Sequence, residues 1–567
     1  MSRRLLTVGL ILALGQSAFT QTPTHAVESP GARVDWIFAQ WDKPITPGCA
    51  VAVMKDGQIV HKRGYGIANL ELAVPITSSS VFNAGSIAKQ FTAMSILMLA
   101  QQGKLSLDDE VRKYVPEVPD FGTAITLRHL IHHTSGLRDF LEMLEMAGWR
   151  TGGDLTTEKD ILDMVSRQRT LNHKPGAEFV YTNTGYVLLA VIVQRVTGQS
   201  LRDFAGVNIF KPLGMSSTQF YDDHRQIIKG LVDGYLPDKQ RGFVKWIPAA
   251  DYAGSSNLFT TVEDLARWDQ NFYDKSVGGP TVIEQMLTPG TLSDGSRLEY
   301  AHGLMVLTYK GLNTIVHSGS TLGYQGTLHR FPQQRFSVAL LCNVRGNNPD
   351  GLARRVADIF LADQFKQAAQ GQNSPTVAPA YPVKVSSNEL SRVAGLYLNP
   401  LTDLVRRLYI KDGKLFYFRT PGNESELAPL GGNRFLMLGV RNQVEIHFQS
   451  HRPGAPLNMI FSEAGGKPST WTAVKAANYT PQQLSAFAGK FYSPELNTTY
   501  EISPQDDKLL FRTGNWGSFL LSPRFVDSFA NPEEMGSLMF TRDGKNRVSG
   551  FVITSGKVRN LRFDRIK

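Results

Sequence analysis

The sequence has almost no cysteine: Cys49 and Cys342 are the only two among 567 residues. Two cysteines exclude a small disulfide-rich scaffold, and without histidines beside them they cannot form a zinc site. Each lies in a short apolar run that is typical of a β-strand. If the two strands pair antiparallel, a disulfide can form between them, but the residues alone favour two buried free thiols.

Long hydrophobic runs are lacking beyond the N-terminus, so no transmembrane helix is expected. At the N-terminus, two arginines precede an apolar run, residues 5–14, that is too short to span a bilayer. This pattern is typical of a secretory signal peptide over residues 1–20, with cleavage near Ala18 or Thr20. No cysteine follows the run to carry a lipid. We therefore expect an exported protein, periplasmic or secreted, with an uncleaved membrane anchor as the weaker alternative.

The charges are not strongly biased to one sign, since 60 Lys and Arg face 50 Asp and Glu, a net charge of +10. Because the basic residues are scattered, we expect no nucleic-acid partner. Low-complexity blocks are also lacking, and 42% of the residues are apolar, so the chain can bury sizeable cores. A chain of 567 residues should form about three domains.

A polar segment, residues 371–388, is typical of a linker and follows a first domain predicted over residues 30–370. Beyond the linker the sequence repeats itself, because Leu390–Tyr397 is echoed by Leu484–Phe491. Each copy is rich in short alternating strands joined by Gly and Asn turns. We therefore predict two small antiparallel β-barrel domains, residues 389–476 and 482–567.

The most informative stretch of the first domain is Asn83–Phe91, in which Ser86 and Lys89 open a strongly apolar helix. Residues three apart share a helix face, and burial disfavours the ammonium form of a lysine. A neutral Lys89 could accept the proton of Ser86 and make the serine a nucleophile. A Ser-x-x-Lys spacing also arises by chance, roughly once or twice in a chain of this length, so further motifs are needed.

Tyr181 and Asn183 lie two residues apart, at a turn before a second apolar helix. A tyrosine beside a lysine ammonium can have a lowered phenol pKa and relay protons. The Asn183 amide could orient a substrate carbonyl. An ordinary helix cap is the alternative interpretation of this pair.

His317, Ser318, Gly319 and Ser320 follow one another on a predicted strand. Gly319 would let a substrate backbone approach closely. The backbone N–H groups of Ser320 and Ser86 could form an oxyanion hole. Taken alone, His317 is more simply interpreted as a surface strand histidine.

Three further histidines, His129, His132 and His133, occupy a short predicted helix. No His-Glu-x-x-His pattern accompanies them, and no acidic residue is placed to complete a metal site. We interpret them as structural and expect neither a metal nor a nucleotide cofactor.

In order and context, the three motifs resemble those of the penicillin-recognising serine hydrolases, which include class C β-lactamases, D,D-peptidases, D-aminopeptidases and related esterases. The similarity covers about residues 34–360 and extends to the segments His129–Leu137 and Pro175–Tyr181. The motifs that carry it are Ser86-x-x-Lys89, Tyr181-x-Asn183 and His317-x-Gly319.

The resemblance implies an α/β (α+β) fold of the serine β-lactamase type, with a five-stranded antiparallel sheet, a helical region and the site between them. It implies that Ser86 is acylated and that Lys89 and Tyr181 share the acid–base work, without deciding which of them deprotonates the serine. It also places Cys49 and Cys342 on neighbouring strands, which strengthens the disulfide alternative.

With two barrels after the catalytic domain, the architecture is most similar to D-aminopeptidases of this family. In those enzymes, a loop of the last barrel limits the cleft to small substrates with a free amine. The sequence does not identify the equivalent loop here. The acidic segment Asn531–Glu534 could meet an amine, but a solvated turn is the favoured interpretation.

The sequence departs from the pattern of many β-lactamases of the family at His317. Those enzymes carry a lysine at this position that helps hold the drug's carboxylate. A histidine is largely neutral near pH 7. Efficient penicillin hydrolysis is therefore less expected than hydrolysis of another amide or ester.

We expect an exported serine hydrolase that acts through an acyl-enzyme at Ser86 on small amides or peptides, with D-residue substrates as the first hypothesis. A carboxylesterase, a D,D-carboxypeptidase or a weak β-lactamase are the alternatives among enzymes. A non-catalytic protein that binds cell-wall fragments or a partner is the alternative of another class. The expected partner is a small-molecule or peptide substrate, and the oligomeric state is not predicted.

Overall fold

The computed structural model describes residues 28–150, 152–246, 249–365, 385–400, 404–420, 423–440, 443–450, 452, 455–463, 468–531 and 536–567. The predicted signal peptide, residues 1–20, and most of the predicted linker, residues 371–384, lie outside this part of the chain. Within the described ranges, no helix has the length and apolar character needed to cross a membrane.

The catalytic domain is built on an antiparallel sheet of six strands, one more than the resemblance implied. Across the sheet the strands are Met305–Tyr309, Leu312–Thr321, Tyr324–Phe331, Phe336–Cys342, Cys49–Lys55 and Gln58–Tyr65. The fourth and fifth strands are mainly apolar and are buried on both faces, except at Lys55.

Helices cover both faces of this sheet. This is seen along the strand Cys49–Lys55, where successive side chains point alternately into two hydrophobic cores. Val51 and Val53 pack in one core with the helices Pro30–Phe38 and Pro349–Phe360. The intervening residues of the strand point to the opposite core, which contains the helix Val262–Asp274. The sheet is thus the middle layer of a three-layer domain.

Cys49 and Cys342 are joined by a disulfide, so the favoured prediction of two free thiols is wrong. The two strands pair antiparallel with these residues directly opposite each other, their Cα atoms 4.0 Å apart. In the sequence each cysteine looks like any other buried residue of an apolar strand. Only the register, which aligns the start of one strand with the end of the other, brings the two sulfur atoms together.

Beside the sheet lies the helical region, whose two central helices are Ala88–Gln101 and Asn183–Thr197. Both are buried almost throughout, because their residues are apolar on all sides. The other helices of this domain are Leu127–Ile131, Phe140–Met146, Glu158–Ser166, Leu201–Ala205 and Gly279–Leu287. The short strands are Ile67–Asn69, Val74–Pro75, Phe82–Asn83, Thr156–Thr157, Gln219–Phe220, Tyr235–Asp238, Gly242–Lys245, Ala250–Asp251 and Leu258–Thr260.

The C-terminal part forms two closed antiparallel barrels of eight strands each, which confirms the prediction of two β-barrels. The first barrel consists of Gly395–Leu398, Val405–Lys411, Lys414–Thr420, Asn423–Gly431, Arg434–Met437, Val444–Gln449, Asn458–Glu463 and Ser469–Val474. The second barrel consists of Gly489–Ser493, Thr498–Gln505, Lys508–Arg512, Ser518–Phe525, Ser528–Ala530, Ser537–Arg542, Val548–Ser555 and Val558–Ile566. A short helix precedes each barrel, Ser387–Val393 and Pro481–Leu484.

The two barrels differ in how they pack. The first barrel has a hydrophobic core of its own, whereas the core of the second is continuous with that of the helical region. Where the second barrel meets the helical region, Arg138 and Glu495 form an ion pair of 2.6 Å. Their side chains are 0% and 3% exposed. The Tyr500 hydroxyl also donates a hydrogen bond to the carbonyl of Met146. The second barrel is therefore fixed against the helices that carry the functional residues.

Candidate active site

Ser86 lies in a 3₁₀ turn, Gly85–Ile87, that leads directly into the buried helix Ala88–Gln101. Gly85 has a φ of +54°, and a side chain there would come within 2.7 Å of the Ser320 nitrogen, so glycine is needed at this turn. The turn places the Ser86 Oγ 3.0 Å from the Lys89 Nζ. The Ser-x-x-Lys pair is thus in hydrogen-bond contact.

Lys89 is completely buried, and its Nζ contacts two further oxygens. These are Asn183 Oδ1 at 2.9 Å and the backbone carbonyl of Ser255 at 2.7 Å. The Asn183 Nδ2 donates to the Asp139 carboxylate, which fixes the amide oxygen toward the lysine. Both oxygens can only accept, whereas the Ser86 hydroxyl can donate. A neutral amine therefore satisfies all three contacts, because its lone pair can accept the hydrogen of Ser86.

The electrostatics of Lys89 favour this neutral form. Burial lowers the pKa of Lys89 well below its usual value, since the ammonium loses its hydration. The Asp139 carboxylate opposes this shift, and the charge of Lys557 adds to it. Lys89 is therefore equipped to act as a proton acceptor.

Tyr181 lines the same cavity as Ser86, and the centre of its ring is 4.8 Å from the Lys89 Nζ. Burial raises the pKa of Tyr181, and a hydrogen bond with Ser86 only partly offsets this. The expectation of a lowered phenol pKa is therefore wrong, because desolvation of the buried ring is the largest effect and the Asp139 carboxylate adds to it. Tyr181 keeps its proton and can act as a hydrogen donor.

Asn183 is held by Asp139, a residue that the sequence analysis missed. The backbone nitrogen and the Nδ2 of Asn183 both donate to Asp139 Oδ2, at 2.6 and 3.0 Å. Asp139 is completely buried and also caps the helix Phe140–Met146, where its Oδ1 accepts from the Leu141 nitrogen. This carboxylate thus orients the amide that faces Lys89.

His317 lies beneath the cavity, is 5% exposed and does not contribute to its wall. Its Nδ1 is 2.8 Å from the carbonyl of Ser318, which can only accept, so Nδ1 carries the hydrogen. Its Nε2 then accepts from the hydroxyl of Tyr300 at 3.1 Å. Burial lowers the pKa of His317 to about 4. The imidazole is therefore neutral, and both its nitrogens are engaged within the protein.

Ser318, Gly319 and Ser320 form an open strand edge next to Ser86. The neighbouring strand Met305–Tyr309 pairs only as far as Val316 and leaves this edge uncovered. A side chain on Gly319 would approach the Ala84 carbonyl to 1.9 Å and the Ser86 nitrogen to 2.9 Å. Ser86 and Ser320 both line the cavity, and the strand lies close against the turn that carries Ser86. The predicted oxyanion hole, formed by the N–H groups of these two residues, fits this close approach.

The Ser318 hydroxyl is engaged elsewhere. It donates to the Asp350 carboxylate at 2.6 Å, which also accepts from Thr327 at 2.7 Å and contacts His329 Nε2 at 3.1 Å. These hydrogen bonds lower the pKa of Asp350 against the effect of burial. Ser318 therefore contributes its backbone to the cavity wall, while its side chain anchors the strand.

The histidines His129, His132 and His133 are packed within the helical region, where the rings of His129 and His133 accept hydrogen bonds and that of His132 contacts His302. His129 belongs to a capping box with Thr126, and His133 accepts from the Thr182 nitrogen at 3.2 Å. Burial lowers the pKa of His132 to about 3 and that of His133 well below its usual value. All three are consistent with the structural role expected for them.

One cluster with metal-binding geometry occurs within the described ranges, formed by Asp223, His224 and Asp251. His224 is exposed, and its Nδ1 already lies 2.9 Å from both carboxylate oxygens of Asp251. None of the three lines the catalytic cavity. This cluster is therefore separate from the cavity at Ser86.

The catalytic groups open into a cavity of about 690 Å³. Its wall includes Ser86, Tyr181, Asn183 and Gly319 of the catalytic domain, and also Lys557 of the second barrel. Lys557 lies in the turn between the last two strands, which we call the barrel loop, Ser555–Lys557. The segment Asn531–Glu534 falls largely outside the described residues.

Sequence reasoning missed Asp139, Tyr300 and Lys557 for different reasons. Asp139 follows the segment His129–Leu137 closely, and its position before a helix signals a cap but not a contact with Asn183. Tyr300 has no motif around it. Lys557 follows a glycine in a hairpin turn, but a barrel has several such turns, and the sequence does not indicate which one faces the cleft.

Comparison with known proteins relates this geometry to a family. The family model described as Beta-lactamase matches residues 34–363. Penicillin-binding protein 4* of Bacillus subtilis (strain 168) is 30% identical over 416 residues, which cover 70% of this chain and 89% of that protein. D-aminopeptidase of Gluconobacter oxydans (strain 621H) is 30% identical over 378 residues, which cover 66% of this chain and 68% of that protein.

A solved structure supports the same relationship. The octameric penicillin-binding protein homologue from Pyrococcus abyssi is 25% identical, with a TM-score of 0.52. The similarity covers 78% of this chain and 99% of that protein. It therefore extends beyond the residues matched by the family model.

Proposed function

Because this chain belongs to the beta-lactamase family, we propose that it is an exported serine hydrolase that cleaves small amides and peptides through an acyl-enzyme at Ser86. The observation that carries this proposal is the contact of 3.0 Å between Ser86 Oγ and the Nζ of a completely buried Lys89. The other neighbours of Lys89 accept two N–H bonds and leave its lone pair for the serine. This arrangement supports activation of Ser86 by Lys89.

In the acylation step, Ser86 Oγ attacks the substrate carbonyl carbon while its proton passes to Lys89. The N–H groups of Ser86 and Ser320 stabilise the negative charge that develops on the carbonyl oxygen. Tyr181 donates its proton to the leaving nitrogen as the C–N bond breaks, and the proton held by Lys89 then restores the phenol. A water molecule cleaves the resulting ester by the same steps in reverse, which frees Ser86.

The first hypothesis for the substrate is a small amide or peptide that contains a D-residue. The similarity to proteins named D-aminopeptidase and penicillin-binding protein 4* supports this hypothesis. A cavity of about 690 Å³ is of a size that suits a small molecule or short peptide.

Penicillins are a less suitable substrate class for this cavity. The imidazole of His317, with a pKa lowered to about 4, supplies no positive charge at the position where many related β-lactamases carry a lysine. Its two nitrogens are also occupied by Ser318 and Tyr300. We therefore expect amide hydrolysis to exceed penicillin hydrolysis.

Export to the periplasm or the medium is part of this proposal. The N-terminal pattern of two arginines and a short apolar run supports it. The disulfide between Cys49 and Cys342 supports it independently, because such bonds persist mainly in oxidising compartments. Fractionation of the source cells, with the N-terminus of the mature protein determined, tests it directly.

The catalytic proposal is tested by measuring intact-protein mass after brief exposure to a small activated ester, for the wild type and Ser86→Ala. We expect a single acyl adduct on the wild type and none on the variant. Turnover of N-acetyl-D-alanine and N-acetyl-L-alanine p-nitroanilides then tests the stereochemical preference. Absence of an adduct on the wild type would refute the acyl-enzyme and favour a binding protein.

A further inference from the structure

The barrel loop is held in the catalytic cavity by its backbone. The Lys557 nitrogen donates to Glu142 Oε2 at 2.6 Å, and its carbonyl accepts from Asn172 Nδ2 at 2.7 Å. The Oδ1 of Asn172 accepts from the Arg559 nitrogen at 2.8 Å, which extends the contact along the last strand. The helical region thus fixes the loop on both sides of Lys557, and the side chain has a defined place.

The ammonium group of Lys557 lies beside the catalytic residues. Its Nζ is 5.5 Å from the centre of the Tyr181 ring and 3.7 Å from Asp139 Oδ2, and its side chain is 35% exposed. The Asp139 oxygen already accepts two hydrogen bonds from Asn183, and 3.7 Å is too long for a third. The ammonium group of Lys557 is therefore attracted by Asp139, and its N–H donors are available for a ligand in the cavity.

The other charged residues of the cavity wall differ from Lys557, because the two arginines have partners within the protein and the remaining residues are acidic. Arg150 is paired with Asp154 at 2.5 Å, and Arg345 lies over the ring of Trp246 at 5.7 Å. Asp350 is held by the strand residues described above, and Glu145 adds a negative charge to the wall. Close to Ser86, the amine of Lys89 is completely buried and is engaged by three oxygens of the protein, so it is not available to a ligand. Lys557, whose side chain is 35% exposed, is the cation that a ligand near Ser86 can reach.

We propose that Lys557 determines specificity by binding a carboxylate of the substrate and by disfavouring a substrate with a free ammonium group. This proposal rests on the proposed function, since it concerns the substrates that acylate Ser86. It differs from the expectation drawn from D-aminopeptidases, whose barrel loop selects a free amine. Here the loop that enters the cavity carries a cation, and a second cation would be repelled.

The test compares three p-nitrophenyl esters of D-alanine that differ in charge near the scissile bond. One carries an N-succinyl group and is anionic, one carries the isosteric N-butanoyl group and is neutral, and one has a free α-amine. Nitrophenolate release is measured with the wild type and with Lys557→Gln, after subtraction of the rate with Ser86→Ala. The ratio of variant to wild type for each ester cancels the intrinsic reactivity of that ester.

We expect Lys557→Gln to lower the rate with the succinyl ester about tenfold relative to the rate with the butanoyl ester, and to raise the rate with the free amine several-fold relative to it. The butanoyl ester reports any change in the basicity of Lys89, which is common to all three esters. Lys557→Arg, which keeps the charge, should retain the wild-type order. Lys545→Gln removes a charge from an exposed hairpin of the same barrel and serves as the matched control.

A second pair of substrates places the charge on the leaving group. N-acetyl-D-alanine esters of 4-hydroxybenzoate and of 4-hydroxybenzamide differ by one negative charge there. A selective loss with the benzoate would also support the proposal and would locate the carboxylate on the leaving-group side.

If Lys557→Gln changed the rates of all esters of both series equally, or changed none of them, the proposal for Lys557 would be overturned. The proposed acyl-enzyme mechanism at Ser86 would not be affected by that result. Absence of acylation by every ester on the wild type would instead refute the proposed function, and this inference with it. The two failures are therefore distinguishable in one set of measurements.

Discussion

At the residue scale, Lys89 and Tyr181 divide the proton chemistry through opposite effects of the same burial. Burial lowers the pKa of the lysine and raises that of the tyrosine, so the amine loses a proton easily and the phenol holds one. In the mechanism proposed above, this division gives the removal of the Ser86 proton to Lys89 and the protonation of the leaving group to Tyr181.

Replacement of Lys89 tests this assignment. We expect Lys89→Met to slow acylation of Ser86 by a p-nitrophenyl ester by roughly 1,000-fold, because a general base contributes about 10²–10⁴-fold. The rate is measured as nitrophenolate release, with circular dichroism as a check on folding. Lys104→Met, at an exposed position after the same helix, is the matched control.

Tyr181→Phe provides the contrasting variant. Nitrophenolate leaves without protonation, so this variant should acylate with the ester within about tenfold of wild type and lose at least 100-fold with an amide. The opposite pattern, in which Lys89→Met stays active and Tyr181→Phe loses ester acylation, would identify Tyr181 as the base.

Ser86, Lys89, Tyr181 and Asn183 could be singled out from the sequence because their chemistry demands particular residue types at short spacings. Asp139 could not, because the feature that makes it important is a contact with Asn183 across 44 residues. The pKa of Tyr181 was predicted in the wrong direction for a related reason. Pairing with a lysine is visible in the sequence, whereas desolvation depends on everything that packs around the ring.

At the scale of elements, the helix Phe140–Met146 connects the catalytic residues to the barrel loop. Asp139 caps its first turn and holds Asn183, and Glu142 accepts the backbone N–H of Lys557. Burial raises the pKa of Glu142 to about 7, an effect that Asp139 increases and the bond from Lys557 opposes. One short helix therefore carries two carboxylates with different tasks.

The raised pKa of Glu142 predicts a pH-dependent stability. The folded state favours the protonated carboxyl, so this contribution is fully present below the usual pKa of 4.5 and is lost as the pH rises through about 7. Glu142→Gln cannot ionise, and its amide oxygen can still accept from Lys557. Between pH 5 and 8 we expect the wild type to lose roughly 2 kcal/mol of unfolding free energy relative to the variant.

Urea unfolding of both proteins at pH 5 and pH 8 measures this difference. Comparison of the two proteins removes the effects of other groups, such as the buried histidines, whose lowered pKa values act in the opposite direction below pH 6.5. Glu501→Gln, at an exposed position of the second barrel, controls for the loss of a carboxylate. Parallel pH dependences for the wild type and Glu142→Gln would contradict the prediction.

The individual strands and the two barrels were largely predictable from the sequence. Which segments contact one another in the fold was not. Apolar runs and turn residues identified the strands of the sheet and the repeated barrels, because hydrophobic periodicity is a local property. The disulfide was left as an alternative because it depends on register between strands separated by 293 residues. The loop that enters the cavity was missed for the same reason, since its position depends on how the second barrel packs.

At the scale of the whole molecule, the two barrels have unequal importance for the site. The first has an independent core, and the second shares its core with the helical region and contributes Lys557 to the cavity. The Arg138–Glu495 ion pair lies in the middle of this contact. Arg138 also donates to the carbonyl of Arg559, two residues beyond Lys557, and it directly precedes Asp139 in the chain.

Removal of Glu495 should therefore damage both stability and catalysis. Glu495→Ala leaves the Arg138 guanidinium buried without its counter-ion, which typically costs about 3–5 kcal/mol. Because Arg138 adjoins Asp139 and contacts the strand that carries the barrel loop, we also expect the charge selectivity of ester acylation to weaken. Urea unfolding and the ratio of succinyl to butanoyl ester rates measure the two effects. Glu501→Ala, at an exposed position of the same barrel, should change neither the unfolding free energy nor the ester selectivity. A stable Glu495→Ala with unaltered selectivity would mean that the barrel contact is not needed to place Lys557.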